Sequence, residues 1–367
     1  MNFAVILSII YLFVGSYSAP SDEGVRVYTF DTETAQTNYL CGAKGISNPG
    51  FLCLSADGRH VYAVGEDPNE TTATANSLLF NPRKGTLQLT SSQPANGGAP
   101  SNIALSPNGR CVVTANYYSG SITSYRVDGK GRLGPPSVYA FTGNSVHPKR
   151  QTHPYLHGVY YTPDGKHLWC TDLGTDLLRT FSVDSHGIPQ IDSAHQADHF
   201  TKSGLGPRHI CFSPDRPLAY LLGEISGEVC TLDFSQPDHV RVLQAVCCDS
   251  LNAEGSADIH ISPDGRFVYA SHRLKGDGLS ILRVDADGTL TKIGYQPTAA
   301  YPRNFAISPD GRFLLVASRD EDVIQVFRRD LATGFLSDTG QRIPMNNPSC
   351  LKFYVPKGGK KVNYPYR

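Results

Sequence analysis

One histidine, four arginines, two glutamates and a tyrosine stand at two fixed offsets from a turn that the chain repeats. Seven residues before the Asp or Asn of each turn stand Gly50, Ser101, His157, Arg208, Ala257 and Arg303. Nine residues after it stand Glu66, Tyr117, Leu173, Glu224, Arg273 and Arg319. Charged side chains are costly to gather at equivalent interior positions unless they are paired or used. A histidine among carboxylates can move a proton near neutral pH. Arginines in excess of glutamates favour a carboxylate or phosphate ligand, because the guanidinium fork binds such groups in pairs of hydrogen bonds. The chemistry indicated is acid/base work on an anionic substrate. The structural alternative is a set of ion pairs, such as Glu224 with Arg208 or Arg273.

The elements that would position these residues follow from the repeat itself. The heptapeptide ISPDGRF occurs at Ile261–Phe267 and again at Ile307–Phe313, 46 positions on. Relaxed, it gives six copies, with turn residues Asp57, Asn108, Asp164, Asp215, Asp264 and Asp310, spaced by 51, 56, 51, 49 and 46 residues. Each copy is an apolar strand, a Pro-Asp-Gly type turn and a second apolar strand. Proline pre-sets the turn, the acid bonds its own backbone and glycine accepts positive φ. A third and a fourth strand fill each period, as in LSILRVDADGTL and TKIGYQPT. Four strands per period of roughly fifty residues is the pattern of a propeller blade.

The chain ends supply one blade more. YLFVGSYS reads as a second strand, GVRVYTFDTETA as a third and TNYLCGAK as a fourth, while NPSCLKFYV near the C-terminus supplies the missing first strand. The expectation is an all-β, seven-bladed propeller over 11–355, preceded by an apolar segment 1–10 and followed by a basic tail 356–367. Ring closure through a blade shared by both ends leaves no seam. In such a ring the first strand of each blade lines the central channel. A hairpin returns to the end it left, so both sets of residues should share one rim, with Ser349 and Tyr17 or Ser18 in the shared blade. A single Trp and the lack of Gly-His and Trp-Asp signatures argue against WD40 repeats.

The segments HPYLHGVYYTPDGKHLWCTDLGTD, GLGPRHICFSPD, GSADIHISPDGRFVYASHRLKGDG and YPRNFAISPDGRFLLVASRDEDVIQVF resemble the lactonase family of seven-bladed propellers. That family includes cycloisomerase-type 6-phosphogluconolactonases and fungal carboxy-cis,cis-muconate cyclases, and the resemblance runs from about Tyr11 to Phe353. It implies a catalytic set of His157 in LHGV, Arg208 in GPRH, Glu224 in LLGE and Arg273 in SHRL. ADIHISPDG and QPT…PR are closer to the phosphogluconolactonase branch. The implied activity is hydrolysis of a small anionic lactone, foremost 6-phospho-D-glucono-1,5-lactone, in the pentose phosphate pathway. Cyclisation of a carboxylated muconate and a non-catalytic binding scaffold are the alternatives. One departure is the fourth turn, SPDRP, where Arg216 replaces glycine; it should alter a loop and leave the channel intact.

Lactone hydrolysis needs a base for water, a stabilised oxyanion and a grip on the remote anion. His157 or Glu224 is the candidate base, and Arg208 and Arg273 are the oxyanion donors. Arg303 and Arg319, helped by His209, would hold the anion, with Tyr117 and Glu66 completing the substrate site. The loop Gly143–Pro154 carries His147, Lys149, Arg150 and His153, and reads either as a cap over the channel or as a solvated connector. Asp172 could orient His157 or simply fix a turn.

Composition sets the remaining bounds. Lys plus Arg and Asp plus Glu are both 33, so no sustained positive field exists for nucleic acid or an anionic membrane. Nine cysteines show no zinc spacing and read as small core residues in a reducing compartment. No Walker loop, GxSxG elbow, HExxH or dinucleotide fingerprint occurs, so neither a cofactor nor a metal is expected. A monomer is expected, as is usual for closed rings. The start MNFAVILSIIYLFVGSYSAP resembles a signal peptide with a cut near Ala19, but lacks an early Lys or Arg and contains a strand that the ring needs. An uncleaved cytoplasmic chain is therefore expected, with export the alternative.

Overall fold

The computed structural model describes residues 9–192, 196–236 and 239–356. Its strands form seven four-stranded antiparallel sheets. Six run from the inside outward in chain order, as in Leu156–Tyr161, His167–Asp172, Leu177–Ser182 and Gln196–Phe200. The seventh is shared: Pro348–Tyr354 is innermost, followed by Ile9–Ser16, Val25–Asp31 and Thr37–Ala43. The four segments assigned to it from sequence occupy the expected places. Its second strand begins at Ile9, two residues earlier than expected. The rest of the expected N-terminal segment (1–8), and the tail from 357, lie outside the described residues. Each inner strand touches the next, and the strand Pro348–Tyr354 touches the first blade's Leu52–Leu54, which closes the ring.

The core is divided among the seven seams between blades. Phe30, Leu351, Phe313 and Ile324 fill the seam between the sixth and shared blades, and Phe13, Val27, Leu52 and Phe80 fill the next. Five further clusters fill the other seams. Six of the nine cysteines are buried, including Cys350 in the second of these seams.

The turns form as their residues dictate. In each of the six, a Ser or Thr hydroxyl donates to the Asp or Asn side chain two residues on, at 2.5–2.8 Å. In five, a glycine at φ 66° to 77° follows. In those five the same side-chain oxygen accepts the N–H two residues further along, at 3.0–3.2 Å. The fourth turn has Pro217 at that donor position and so cannot make this bond. Its flanking strands Pro207–Phe212 and Leu218–Gly223 are unaffected, as the sequence suggested.

Two backbone devices fix the functional rim. The register of the inner hairpin breaks between Pro100 and Asn102, Leu156 and Gly158, Pro207 and His209, Ser256 and Ile259, Pro302 and Asn304, and Pro348 and Cys350. Ser101, His157, Arg208, Ala257, Arg303 and Ser349 therefore sit in β-bulges, which re-aim side chains at barrel rims and active sites. At the end of the second strand, the N–H groups of Tyr17, Glu66, Tyr117, Leu173, Glu224, Arg273 and Arg319 donate to the carbonyls of Asn347, Asn48, Ala99, Tyr155, Gly206, Gly255 and Tyr301. Each acceptor lies two residues before its blade's ring position. The two sets of residues are thus tied to one rim in every blade.

Candidate active site

The bulges turn His157 and Arg208 inward, and the adjoining strand end delivers Glu224 between them. Arg208 Nε donates to Glu224 Oε2 at 2.6 Å, and Arg273 Nη2 lies 3.4 Å from Oε1. His157 Nε2 lies 3.7 Å from Oε2. A third guanidinium arrives from the loop that precedes His157, where Arg150 Nη2 donates to Glu224 Oε1 at 2.7 Å. Arg150 Nη1 also donates to the Glu254 carbonyl at 3.3 Å. These residues, with Glu66, Ser101, Tyr117, Tyr301 and Arg303, line a cavity of about 280 Å³. That is close to the lower limit for small-molecule sites, about 300 Å³, and suits one sugar-sized ligand. Four arginines against three glutamates leave its wall net positive.

Electrostatics lower both candidate bases, and what separates them is pairing: three guanidiniums surround Glu224, whereas His157 has only Glu224 as an ionic partner, at 3.7 Å, among the described residues. Burial alone would raise the Glu224 carboxyl, but Arg208, Arg273 and Arg150 pull it down to about 2. So acidic a group accepts a proton poorly at neutral pH. His157 is also held well below its ordinary 6.5, by burial first and then by Arg208 and His209. It is neutral at pH 7, and its Nδ1 is buried without a partner among the described residues. The pairing of Glu224 with Arg208 and Arg273, raised from sequence as the structural alternative, is present. It leaves His157 Nδ1 and part of the cationic wall uncommitted.

Arg208 also donates through Nη1 to the Ala257 carbonyl, and Arg273 to the Gly255 and Ser256 carbonyls. Both are fixed before any ligand arrives, as an oxyanion donor must be. Arg303 is different. It makes no hydrogen bond among the described residues, lying 4.0 Å from Glu66 and 5.0 Å from the Tyr17 ring centre. Tyr17 donates to Glu66 at 2.7 Å. Tyr117 packs edge-on to His157 at 5.4 Å.

Two sequence expectations need correction, and one open choice closes. Arg319 does not line the cavity: it lies 3.7 Å above the Tyr301 ring and pairs with Asp320 at 2.6 Å. His209 points below the rim, where Nδ1 meets Asp258 Oδ1 at 2.7 Å and its ring abuts His157 at 5.2 Å. It stands behind His157 and is not among the residues that line the cavity. Of the two readings of Asp172, the structure has the turn: it accepts from the Gly174 N–H at 3.1 Å and the Tyr155 N–H at 2.9 Å, and from Arg179 at 2.9 and 3.0 Å, and does not reach His157. The next strand's Arg179, also buried, outcompetes the histidine for that carboxylate.

Sequence reasoning placed Arg150 in a loop read either as a cap over the channel or as a connector, and passed over Tyr301; the loop does bring Arg150 to the cavity. Arg150 is aimed by His147, whose Nδ1 accepts the Lys149 and Arg150 N–H groups at 3.2 and 3.0 Å. Tyr301 carried little signal: it occupies the acceptor position before the bulge, where other blades carry Asn48, Ala99, Gly206, Gly255 and Asn347 but one also carries a tyrosine, Tyr155.

Comparison with known proteins shows the family and the fold. A family model described as "Lactonase, 7-bladed beta-propeller" matches residues 11–353. A 6-phosphogluconolactonase of Formosa agariphila is 32% identical over 94% of this chain and 99% of its own. That of Bacillus subtilis is 29% identical over 93% and 97%. Among solved structures, a periplasmic gluconolactonase of Pseudomonas aeruginosa superposes with a TM-score of 0.87 at 32% identity, covering 95% of this chain and 99% of its own.

Proposed function

The chain belongs to the lactonase family of seven-bladed β-propellers, and we propose that it hydrolyses a sugar lactone at the rim cavity, foremost 6-phospho-D-glucono-1,5-lactone. The observation that carries this reading is a neutral histidine with an unpartnered nitrogen beside four converging guanidiniums. His157 takes the proton of the attacking water. Arg208 and Arg273, held rigidly by Glu224 and backbone carbonyls, stabilise the oxyanion. Arg303, whose side chain has only the Glu66 carboxylate at 4.0 Å and the Tyr17 ring for partners among the described residues, binds the substrate's phosphate or product carboxylate. Glu224 serves as the counter-ion that allows three arginines to stand together. The Formosa and Bacillus relatives bear the name of this activity.

The test is a lactonase assay with 6-phosphogluconolactone and with unphosphorylated gluconolactone. His157→Asn should lower kcat by about 10²-fold or more, the usual contribution of a positioned base. A wild-type protein that opens neither lactone but cyclises a carboxymuconate, or turns over neither substrate class, would overturn the reading. The same assay bears on location. Preference for the phosphate goes with a cytoplasmic enzyme, and preference for the free sugar goes with export, as for the Pseudomonas relative. A cut after Ala19 would remove the strand Ile9–Ser16 from the shared blade, which supports a retained N-terminus. Closure of the ring within one chain supports action as a monomer.

A further inference from the structure

Tyr301 lines the cavity on a left-handed backbone, and its phenol donates to nothing among the described residues. Its φ is 61°. At equivalent positions Asn48, Gly206, Asn347 and Ala99 adopt the same conformation at 45°, 64°, 44° and 53°, and the first three are residue types that tolerate it. A tyrosine there is unfavourable, and more so before Pro302. The conformation is held by three contacts. The Tyr301 N–H donates to Asp277 at 2.9 Å, its carbonyl accepts from Arg319 at 3.1 Å, and the neighbouring Ala300 N–H donates to Glu321 at 2.9 Å. Strain held in place by surrounding bonds at a ligand cavity points to use.

The phenol environment shows what the use is. Arg273 Nη1 donates to the Tyr301 oxygen at 3.0 Å, and the Arg319 and Arg273 guanidiniums lie 3.7 and 4.8 Å from the ring centre. The oxygen thus accepts a charge-assisted bond, while its own proton is left for whatever fills the cavity. Tyr301 and His157 stand on different sides of Glu224, joined to it through Arg273 and directly.

We propose that Tyr301 is the general acid of lactone opening, protonating the ring oxygen as it leaves; this rests on the lactonase reading above. Water forms its bond to the carbonyl carbon and loses a proton to His157, and the carbonyl electron pair moves to the oxyanion at the arginines. When the carbonyl re-forms, the bond from carbon to ring oxygen breaks. Its electron pair stays on that oxygen, which takes the phenolic proton. The tyrosinate is stabilised by Arg273 and Arg319 and is then reprotonated by the imidazolium through solvent. Burial would raise the phenol above its ordinary 10, and Glu224 acts in the same sense. Arg273, Arg303 and Arg319 outweigh both and hold it lower. Asp277 and Glu321 face its backbone from the other side.

The test is Tyr301→Phe, which keeps the ring on Arg319. With 6-phosphogluconolactone, and the uncatalysed rate subtracted, kcat should fall about 100-fold while KM stays within about twofold. The wild-type profile of kcat should drop on the alkaline side as the phenol loses its proton, and the variant should lack that limb. A variant that keeps kcat, or loses it with the alkaline limb intact, overturns the proposal. A wild-type protein without lactonase activity fells the underlying function reading instead. An unchanged Tm confirms that the variant is folded.

Discussion

Glu224 is the residue on which the site's charge balance turns. It is buried and faces Arg208, Arg273 and Arg150 within 2.6–3.4 Å. Removing its charge leaves guanidiniums crowded in a space with little water, and breaking a buried pair in this way is strongly destabilising. Glu224→Gln should therefore cost roughly 3–5 kcal/mol, read from the urea midpoint, as well as most of the lactonase activity. Its carboxyl titrates near 2 in the folded protein against an ordinary 4.5. The unfolded chain thus takes up the proton first on acidification. The stabilisation, on the order of 3 kcal/mol, is complete above about pH 4.5 and disappears as pH falls towards 2. Eight of the lining residues, Glu66, Ser101, Tyr117, His157, Arg208, Glu224, Arg273 and Arg303, were legible in the sequence because the repeat supplied their register. Arg150 was not, since a loop has no period to place it.

At the scale of elements, the loop from Gly143 to Pro154 owes its position to Asp176. That carboxylate, fully buried, accepts from Ser145 and Gln151 at 2.6 and 2.7 Å, and from the Gly204 and Gly206 N–H groups at 2.7 and 2.8 Å. One residue thereby fastens the Arg150 loop to the segment that leads into Arg208. Asp176→Asn keeps the size and the tolerance of positive φ but turns an amide N–H₂ towards two donors. We expect a loss of about 1–3 kcal/mol, with KM raised several-fold and kcat nearly kept, measured by thermal melts and steady-state kinetics. The fate of Asp172 shows where sequence reading stopped at this scale. Strand pairing could be read from the repeat, but not that Arg179, on the adjacent strand, would claim the carboxylate. His209 and Arg319 were misplaced for a related reason. The register specified their strand ends correctly, while the direction of the side chain depended on Asp258 and on Tyr301.

Across the whole molecule, the ring was the most legible feature, because six turns in step and two complementary ends specify it without any long-range guess. The same ring makes the protein sensitive to mild acid. His157, His209 and His272 are buried and neutral, all held below 6.5 chiefly by burial, the last two at about 4. The unfolded chain protonates these rings first, so stability should be full above about pH 6.5 and decline as pH falls towards 4. Tm measured across that interval should drop before the carboxylates begin to titrate, and a flat Tm down to pH 5 would contradict it. Finally, the shared blade decides how the protein responds to a pull on its ends. Tyr11 is paired with Tyr354 and Ser16 with Pro348, so both chain ends leave the sheet from the same edge. Tension applied there loads the ladder one rung at a time, as a zip fastener does, instead of shearing all rungs together. A clasp of this geometry is soft against traction across its two strands, and it should part first at the Tyr11–Tyr354 rung.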